Sequence, residues 1–211
     1  MPSSGPVLVA NGPVQWTEEL AAMAAAADPL LAADGGANHL ARIGLGPQWV
    51  IGDLDSISDG TRAWIGEERM VHLPDQDFSD LEKAVAYCLD ELGLDRLTVL
   101  GATGGRVDHA VVNLGLLARR ALGEDLVYLG VDHRIVAVAG EIVLESTPGE
   151  TWSFWTFDPG VRVTLQGVRW PLDNTALDLA GRPSMSNEAV GDTVTVRADG
   201  GAVVVMRYRG S

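Results

Sequence analysis

The 211-residue sequence is poor in cysteine and in basic residues, and it has no long apolar run. Its only cysteine, Cys88, excludes an intrachain disulfide and a cysteine-based zinc site. The position of Cys88 in an apolar helical stretch predicts a buried core thiol rather than a nucleophile. A transmembrane helix needs about 18 consecutive apolar residues, and no such run occurs. The first five residues lack the basic flank and apolar core of a secretory signal, so we expect a cytoplasmic protein with no membrane partner.

Basic residues are outnumbered: 15 Lys and Arg face 29 Asp and Glu, giving a formal net charge of −14. Affinity for DNA and RNA comes largely from neutralising phosphates, so nucleic acid is an unfavourable partner for this chain. Attraction to anionic membranes is disfavoured for the same reason. If the substrate is a phosphate compound, local cations must overcome this overall charge. The 46% of apolar residues is typical of a globular protein.

Over roughly the first 130 residues, short apolar runs alternate with helical patterns. This alternation implies crossover connections and a mostly parallel sheet. The predicted strands are 7–10, 30–33, 49–52, 70–73, 96–100 and 126–129, and the predicted helices are 17–27, 37–43, 78–92 and 108–122. Ser79 and Glu82 have capping-box spacing at the start of the third helix.

After Asp132 the helical patterns give way to short strand-like runs separated by Pro, Gly and Asp. These runs are 135–138, 142–144, 152–157, 161–165, 193–196 and 203–206. We therefore expect a Rossmann-like α/β domain over residues 1–132 and a smaller all-β sandwich over residues 133–211. Trp152 and Trp155 are expected in the core of the sandwich.

Acidic residues follow several of the predicted strands. Asp34 follows the second strand, Asp53 and Asp55 follow the third, and Asp80 lies beyond the fourth. Since the carboxyl ends of parallel strands meet at one edge of a sheet, these carboxylates should converge there. Clustered carboxylates need cations, and oxygen-rich clusters suit Mg²⁺.

A single Asp at a strand end is usually a cap or turn residue, and we prefer that interpretation for Asp59 and Asp75. For the set Asp53, Asp55 and Asp80 we prefer a metal site. If the backbone stays extended, Asp53 and Asp55 share one side of the chain.

Two further patterns point to a phosphate ligand. Lys83 lies one turn after Asp80 on the same face of the predicted helix, although an ordinary surface ion pair has the same spacing. The segment from Gly101 to Arg106 joins a strand to a helix and is glycine-rich, as phosphate-binding turns are. His109 either forms an acid–base couple with Asp108 or serves structure at the start of the helix.

Six segments together resemble the thiamine pyrophosphokinase family, in the family's order and at similar separations. They are ADGGANHL (33–40), IGDLDSIS (51–58), DQDFSDLEKA (75–84), GATGGRVDH (101–109), GVRWPL (167–172) and SNE (186–188). The resemblance implies an α/β nucleotide-binding domain, a β-sandwich and a homodimer. It also implies transfer of a pyrophosphoryl group from Mg²⁺-bound ATP to the thiamine hydroxyl, giving AMP and thiamine diphosphate.

The resemblance also implies residue roles. Metal and polyphosphate would be held by Asp53, Asp55 and Asp80. The transfer site would comprise Asp80, Lys83, Arg106 and Asp108. The nucleotide would lie near Asp34, Gly35, Gly101, Thr103, Gly104 and Gly105. Thiamine would be contacted by Trp170, Ser186 and Asn187 of the sandwich, and Gln76 and Ser79 would also reach substrate. Two departures are visible, since Ser79 replaces the usual Thr and residues 182–185 replace a common Gly-Thr pair.

The general base is expected to be Asp80 or Asp108, without preference between them. The alternatives to a thiamine kinase are a sibling enzyme acting on another alcohol such as a pterin, a non-catalytic binder of nucleotide or thiamine, and a metal hydrolase. The complete set of charged residues argues against the binder, and the lack of a histidine ligand pattern argues against the hydrolase.

Overall fold

The protein is described here by a computed structural model that covers residues 5–209. Within this range, none of the helices has the length and apolar character needed to cross a bilayer. The chain divides into two compact units. The first unit contains the residues up to Asn113 together with Tyr128–Val131, and the second contains Leu114–Val127 and the chain from Asp132 onward.

The first unit is a parallel sheet with helices between its strands. Its strands are β1 (Val7–Val9), β2 (Leu30–Ala33), β3 (Trp49–Gly52), β4 (Met70–His72) and β5 (Leu97–Leu100). Its helices are α1 (Glu18–Ala25), α2 (Gly36–Arg42), α3 (Asp59–Ile65) and α4 (Asp80–Ala86). The strand order is β5-β1-β2-β3-β4, and every pairing is parallel. The strands are continuous apolar runs because helices cover the sheet, and Leu8, Leu31, Ile51 and Val99 are all fully buried.

Two elements cross the boundary between the units along the chain, namely α5 (Val107–Arg120) and β6 (Leu122–Leu129). The second half of α5 therefore belongs to the second unit. The sequence had placed the domain boundary after residue 132, beyond both elements.

The second unit is antiparallel. Its strands are β7 (His133–Glu145), β8 (Thr151–Trp155), β9 (Arg162–Gln166), β10 (Leu172–Ala176), β11 (Ser184–Glu188) and β12 (Thr193–Tyr208). β12 pairs with β7 along its length, and its other edge pairs first with β9 and then with β8. β10 pairs with β9 and β11 pairs with β8. Trp152 and Trp155 are buried in this unit, as predicted.

The fold class is confirmed as an α/β unit followed by a β-rich one, but several element predictions need correction. The sequence missed α3, β10 and β11. It also split β7 and β12 in two, because glycines interrupt their apolar runs. In the structure, Asp199, Gly200 and Gly201 form a bulge between the pairs Ala198–Gly140 and Ala202–Ala139, so both strands continue past the interruption.

The predicted helix 78–92 is also composite. Ser79 is the N-cap of α4, since its Oγ accepts a hydrogen bond from the Glu82 N–H at 3.2 Å, as the capping-box spacing predicts. The regular helix ends at Ala86 and is followed by a π-helical turn at Tyr87–Glu91. Cys88 in this turn is fully buried, which confirms a core thiol, and burial raises its pKa to about 12.

Candidate active site

Three carboxylates of the first unit converge at the carboxyl edge of the sheet. Asp34 follows β2, Asp53 follows β3, and Asp80 is the first residue of α4. Each offers one carboxylate oxygen, and these oxygens all lie within 4.8 Å of one another. β2 and β3 are neighbours in the sheet, so their ends bring Asp34 and Asp53 together. The sequence correctly predicted that acids meet at this edge.

Asp34 is the most constrained of the three. It is fully buried and has a positive φ of 43°, a conformation that Asp tolerates better than most residues. Its Oδ1 accepts a hydrogen bond from the Ser56 N–H at 3.3 Å, whereas its Oδ2 is buried and has no hydrogen-bond partner. Burial raises the pKa of Asp34, and the nearby Asp80 carboxylate contributes in the same direction. An unpaired buried carboxylate oxygen beside two other carboxylates is arranged to accept a cation.

Asp53 is better supported by hydrogen bonds. Its Oδ1 accepts from the Asp55 N–H at 3.3 Å, and its Oδ2 accepts from Gln76 Nε2 at 3.2 Å. Partial burial opposes ionisation of Asp53, but these hydrogen bonds and the Lys83 charge outweigh it and lower its pKa.

Asp55 lies outside the three-carboxylate cluster. Its side chain is exposed, and its Oδ1 accepts a hydrogen bond from Ser56 Oγ at 2.9 Å. The expectation that Asp53 and Asp55 share one side required an extended backbone. Leu54 instead has a φ of 68°, which turns the chain between them. A metal-binding role for Asp55 stays a prediction.

Lys83 is the only lysine in the sequence, and it is held inside the site. Its Nζ lies 2.7 Å from Asp80 Oδ1 and 3.7 Å from Asp53 Oδ2. It also donates to the carbonyl oxygens of Leu73 at 3.2 Å and Asp75 at 3.0 Å. Burial alone would lower the pKa of Lys83, but the hydrogen bond to Asp80 and the surrounding carboxylates raise it.

The glycine-rich turn after β5 packs closely against the loop after β1. Gly101, Gly104 and Gly105 all have positive φ, which glycine adopts without strain. A Cβ on Gly12 would lie 2.3 Å from the carbonyl oxygen of Gly101, so only glycine fits there. The turn is anchored from α5 by Asn113, whose buried Nδ2 donates to the Ala102 carbonyl at 2.7 Å.

Arg106 and Asp108 form an exposed ion pair at the start of α5. Two guanidinium nitrogens of Arg106 donate to the two Asp108 oxygens at 3.1 and 2.5 Å. The Arg106 hydrogen bond lowers the pKa of Asp108 to about 2. The His109 contact with Asp108 runs through the His109 backbone N–H at 3.0 Å.

A cavity of about 350 Å³ in the first unit is lined by part of the acidic edge and by the glycine-rich turn. Its lining includes Asp53, Gln76, Ser79 and Asp80 together with Gly101, Gly104, Gly105, Arg106 and His109. The lining also includes three residues that were not predicted from the sequence: Asn11, Gly12 and Asn113. Asn11 and Gly12 directly follow β1, so the strand-end rule used for the acids would have found them. Among the predicted site residues of this unit, Asp34, Gly35, Asp55, Lys83, Thr103 and Asp108 are not in its lining.

Trp170, Ser186 and Asn187 belong to the second unit. Trp170 and Ser186 are exposed, and Ser186 has a positive φ of 53°. Asn187 is buried, and its amide bridges the Trp170 peptide, accepting from the N–H at 3.1 Å and donating to the carbonyl at 2.9 Å. The same amide donates to Ser184 Oγ and accepts from the Glu188 N–H. Trp170 and Ser186 are therefore exposed, with the Arg169 guanidinium 5.1 Å from the centroid of the Trp170 ring, whereas Asn187 holds the Trp170 peptide in place.

Two family models match the sequence. The thiamin pyrophosphokinase catalytic domain matches residues 20–127, and the thiamin pyrophosphokinase vitamin B1 binding domain matches residues 141–203. Thiamine pyrophosphokinase of Bacillus subtilis is 27% identical over 207 residues, covering 95% of this chain and 96% of the relative. Thiamine pyrophosphokinase 1 of Oryza sativa subsp. japonica is 30% identical over 207 residues, covering 84% of this chain and 78% of the relative.

Solved structures share the fold. The crystal structure of the Bacillus subtilis thiamine pyrophosphokinase superposes with a TM-score of 0.78 at 24% identity, covering 98% of this chain and 100% of that chain. The Candida albicans thiamin pyrophosphokinase gives a TM-score of 0.81 at 16% identity, covering 98% of this chain and 90% of that chain. With the catalytic-domain model alone matching just over half of the sequence, the chain belongs to the thiamine pyrophosphokinase family.

Proposed function

We propose that this protein is a thiamine diphosphokinase that transfers the pyrophosphoryl group of ATP to the hydroxyl of thiamine. The observation that carries the proposal is that one cavity is lined both by acids and by a glycine-rich turn with Arg106. In this proposal the turn would supply backbone N–H groups to phosphate oxygens, and the acids would supply ligands for the cation that accompanies a nucleoside triphosphate.

The acidic cluster has the chemistry that Mg²⁺ requires. Asp34, Asp53 and Asp80 supply hard oxygen ligands within 4.8 Å of one another, and Asp34 Oδ2 has no other partner. We therefore propose Asp34 alongside the predicted Asp53 and Asp80 as residues that hold the ion. When bound, Mg²⁺ would offset negative charge on the polyphosphate.

In the proposed reaction, the thiamine hydroxyl oxygen attacks the β-phosphorus of ATP. The bond between the β-phosphorus and the oxygen that bridges to the α-phosphate breaks, and AMP leaves with that oxygen. The hydroxyl proton passes to a carboxylate. Such transfers depend mainly on positioning and charge stabilisation. Arg106 lines the cavity, and only two of its nitrogens are used by Asp108, so its remaining N–H groups are available to phosphate oxygens.

We propose Asp80 rather than Asp108 as the proton acceptor because of its position, with Lys83 bound to only one of its two oxygens, Oδ1. The sequence had left these two equal. Held by Arg106 with a pKa of about 2, Asp108 is a weak base at neutral pH. Asp80 lines the cavity, whereas Asp108 is not in its lining. We propose that Asp108 instead orients the Arg106 guanidinium.

Thiamine is proposed to contact Trp170 and Ser186. Both lie within the match to the vitamin B1 binding domain. The exposed indole of Trp170 already holds one cation, the Arg169 guanidinium 5.1 Å from its ring centroid, and we propose that thiamine, a cationic aromatic ligand, packs against the same indole. We also keep the homodimer as a proposal, which sedimentation equilibrium of the purified protein would test.

The test of the proposed function is AMP release from ATP and Mg²⁺ with a panel of acceptors that includes thiamine and a hydroxymethylpterin. Thiamine-dependent AMP formation is expected, with a loss of about 100-fold or more in Asp53→Asn. Asp95→Asn is the matched control, because the Asp95 side chain is 87% exposed and far from the cluster in sequence. AMP release with the pterin alone would support pyrophosphoryl transfer but contradict thiamine as the acceptor. Thiamine binding without AMP formation by the folded protein would favour a non-catalytic binder.

A further inference from the structure

Lys83 was expected to neutralise the transferred phosphate, but its ammonium group is already fully engaged. Its side chain is only 6% exposed. An ammonium group has three N–H donors, and three acceptors lie within hydrogen-bond distance: Asp80 Oδ1 at 2.7 Å, the Asp75 carbonyl at 3.0 Å and the Leu73 carbonyl at 3.2 Å. The described residues that line the 350 Å³ cavity do not include Lys83.

These three bonds join two parts of the site. Asp80 begins α4, whereas Leu73 and Asp75 belong to the segment that follows β4. Lys83 therefore fixes the backbone of that segment at two points against the helix that carries Asp80.

The tethered segment carries Gln76 to the acidic cluster. Gln76 Nε2 donates to Asp53 Oδ2 at 3.2 Å and to the Pro74 carbonyl at 3.3 Å. The start of the segment is held separately, because the Leu73 N–H donates to the Gly52 carbonyl at 2.7 Å. Displacement of the segment would thus move Gln76 away from Asp53 and break both Lys83 bonds to the segment's carbonyl oxygens.

Contact with a phosphate would require Nζ to give up at least one of these charge-assisted bonds inside a buried pocket. Such bonds are stronger than neutral ones, and breaking them leaves carbonyl or carboxylate oxygens unpaired. We propose that Lys83 is a positioning residue, which clamps residues 73–76 and Asp80 in their working geometry and does not touch the polyphosphate. The proposal rests on the proposed function for what the site does, but the clamp is a property of the ligand-free protein.

The first test uses the fact that Lys83 is the only lysine. A reference lysine is introduced as Arg96→Lys, at a surface side chain that is 65% exposed. The variant is acetylated with a succinimidyl ester with and without MgATP, and modification at positions 83 and 96 is followed by peptide mass spectrometry. The clamp predicts that position 83 reacts at least about tenfold more slowly than position 96 in both conditions. Reaction at comparable rates without nucleotide, with protection of position 83 by MgATP, would overturn the proposal.

The second test compares Lys83→Met with Lys83→Arg. For Lys83→Met, the clamp predicts faster hydrogen exchange in residues 73–79 of the ligand-free protein, on the order of tenfold, with other peptides unchanged. It also predicts that kcat falls while the KM for MgATP stays within about twofold, and that Lys83→Arg recovers part of kcat. Unchanged exchange with a large rise in the KM for MgATP would contradict the clamp.

The acetylation and exchange measurements need neither thiamine nor turnover. They therefore test the clamp even if the proposed reaction is wrong, and the acceptor panel tests the reaction even if the clamp is wrong. The acetylation test needs no substitution of Lys83, so it stays informative if Lys83→Met does not fold.

Discussion

Replacement of Asp34 by asparagine should stabilise the metal-free protein while weakening its response to Mg²⁺. The wild-type carboxylate is fully buried, accepts one hydrogen bond and leaves Oδ2 unpaired beside two other acids. Asparagine keeps the shape and tolerates the positive φ of 43°. Its Nδ2 would also place a donor where carboxylates can accept.

The magnitude follows from the cost of an uncompensated buried polar group. Mutational data show that a buried polar group without a partner destabilises a protein by about 1–3 kcal/mol. Asp34→Asn should therefore raise the free energy of unfolding by about that amount at neutral pH. The control Asp95→Asn removes a carboxylate that is 87% exposed and should change this free energy by less than about 0.5 kcal/mol.

The sign of the pH dependence follows from the raised pKa of Asp34. An acid whose pKa is higher in the folded state binds its proton more tightly there, so low pH favours folding. This advantage is lost as the pH rises through the folded pKa. The stability gained by Asp34→Asn should therefore be small in acid, below the ordinary pKa of an aspartate, and largest at neutral pH.

Urea denaturation with and without Mg²⁺ measures both effects, with NaCl added to match ionic strength. At a hundredfold excess over its dissociation constant, Mg²⁺ should stabilise the wild type by about 2.7 kcal/mol, whereas Asp34→Asn should gain much less. The difference in free energy of unfolding between the variant and the wild type would then shrink or change sign when the metal is added. The reasoning would be refuted if Asp34→Asn were less stable than the wild type without metal. It would also be refuted if Mg²⁺ raised the free energy of unfolding of both proteins equally.

Four further outcomes are expected. Gly36→Ala should lower the free energy of unfolding, measured in urea, by about 2–3 kcal/mol, because the new Cβ would lie 1.9 Å from a backbone carbonyl oxygen. Gly60→Ala should raise it by up to about 1 kcal/mol, because Gly60 lies in α3 with open space around it. Cys88 should resist a thiol reagent until urea unfolds the chain, given its burial and a pKa of about 12, and rapid labelling of the native protein would contradict that burial. Trp170→Ala should raise the KM for thiamine about tenfold while changing the KM for ATP much less, and equal effects on both would indicate general destabilisation. Asp108→Asn should leave the acid limb of the kcat–pH profile in place, since a group with a pKa of about 2 does not titrate there, and loss of that limb would reinstate Asp108 as the base.

The parallel half of the fold could be predicted closely from the sequence. β2 and β3 have the predicted bounds, because a strand covered on both faces is a short continuous apolar run with clear ends. The strand-end rule also predicts the acidic edge from the sequence alone.

The details inside that edge depended on backbone geometry that spacing does not reveal. The turn at Leu54 separates Asp53 from Asp55, and the pairing of β2 with β3 brings Asp34 into the cluster instead. The sequence correctly predicted that Lys83 lies on the same helix face as Asp80. Its bonds to the segment after β4 are tertiary contacts, which spacing along the chain does not reveal.

The antiparallel half was harder to predict. A glycine within an apolar run predicts the end of a strand, whereas Gly140 and Gly200 lie at a bulge inside two long strands. β10 and β11 are polar and short, so they lack the apolar alternation that marks a strand.

The most direct test of the central claim follows the phosphorus atoms. The protein would be incubated with thiamine, Mg²⁺ and ATP labelled separately at the β- and the γ-phosphorus, and the products would be separated. Transfer of an intact pyrophosphoryl group predicts that both labels appear in thiamine diphosphate, in equal amount to the AMP formed. Appearance of the γ-label alone in a thiamine monophosphate, with ADP as the other product, would contradict it.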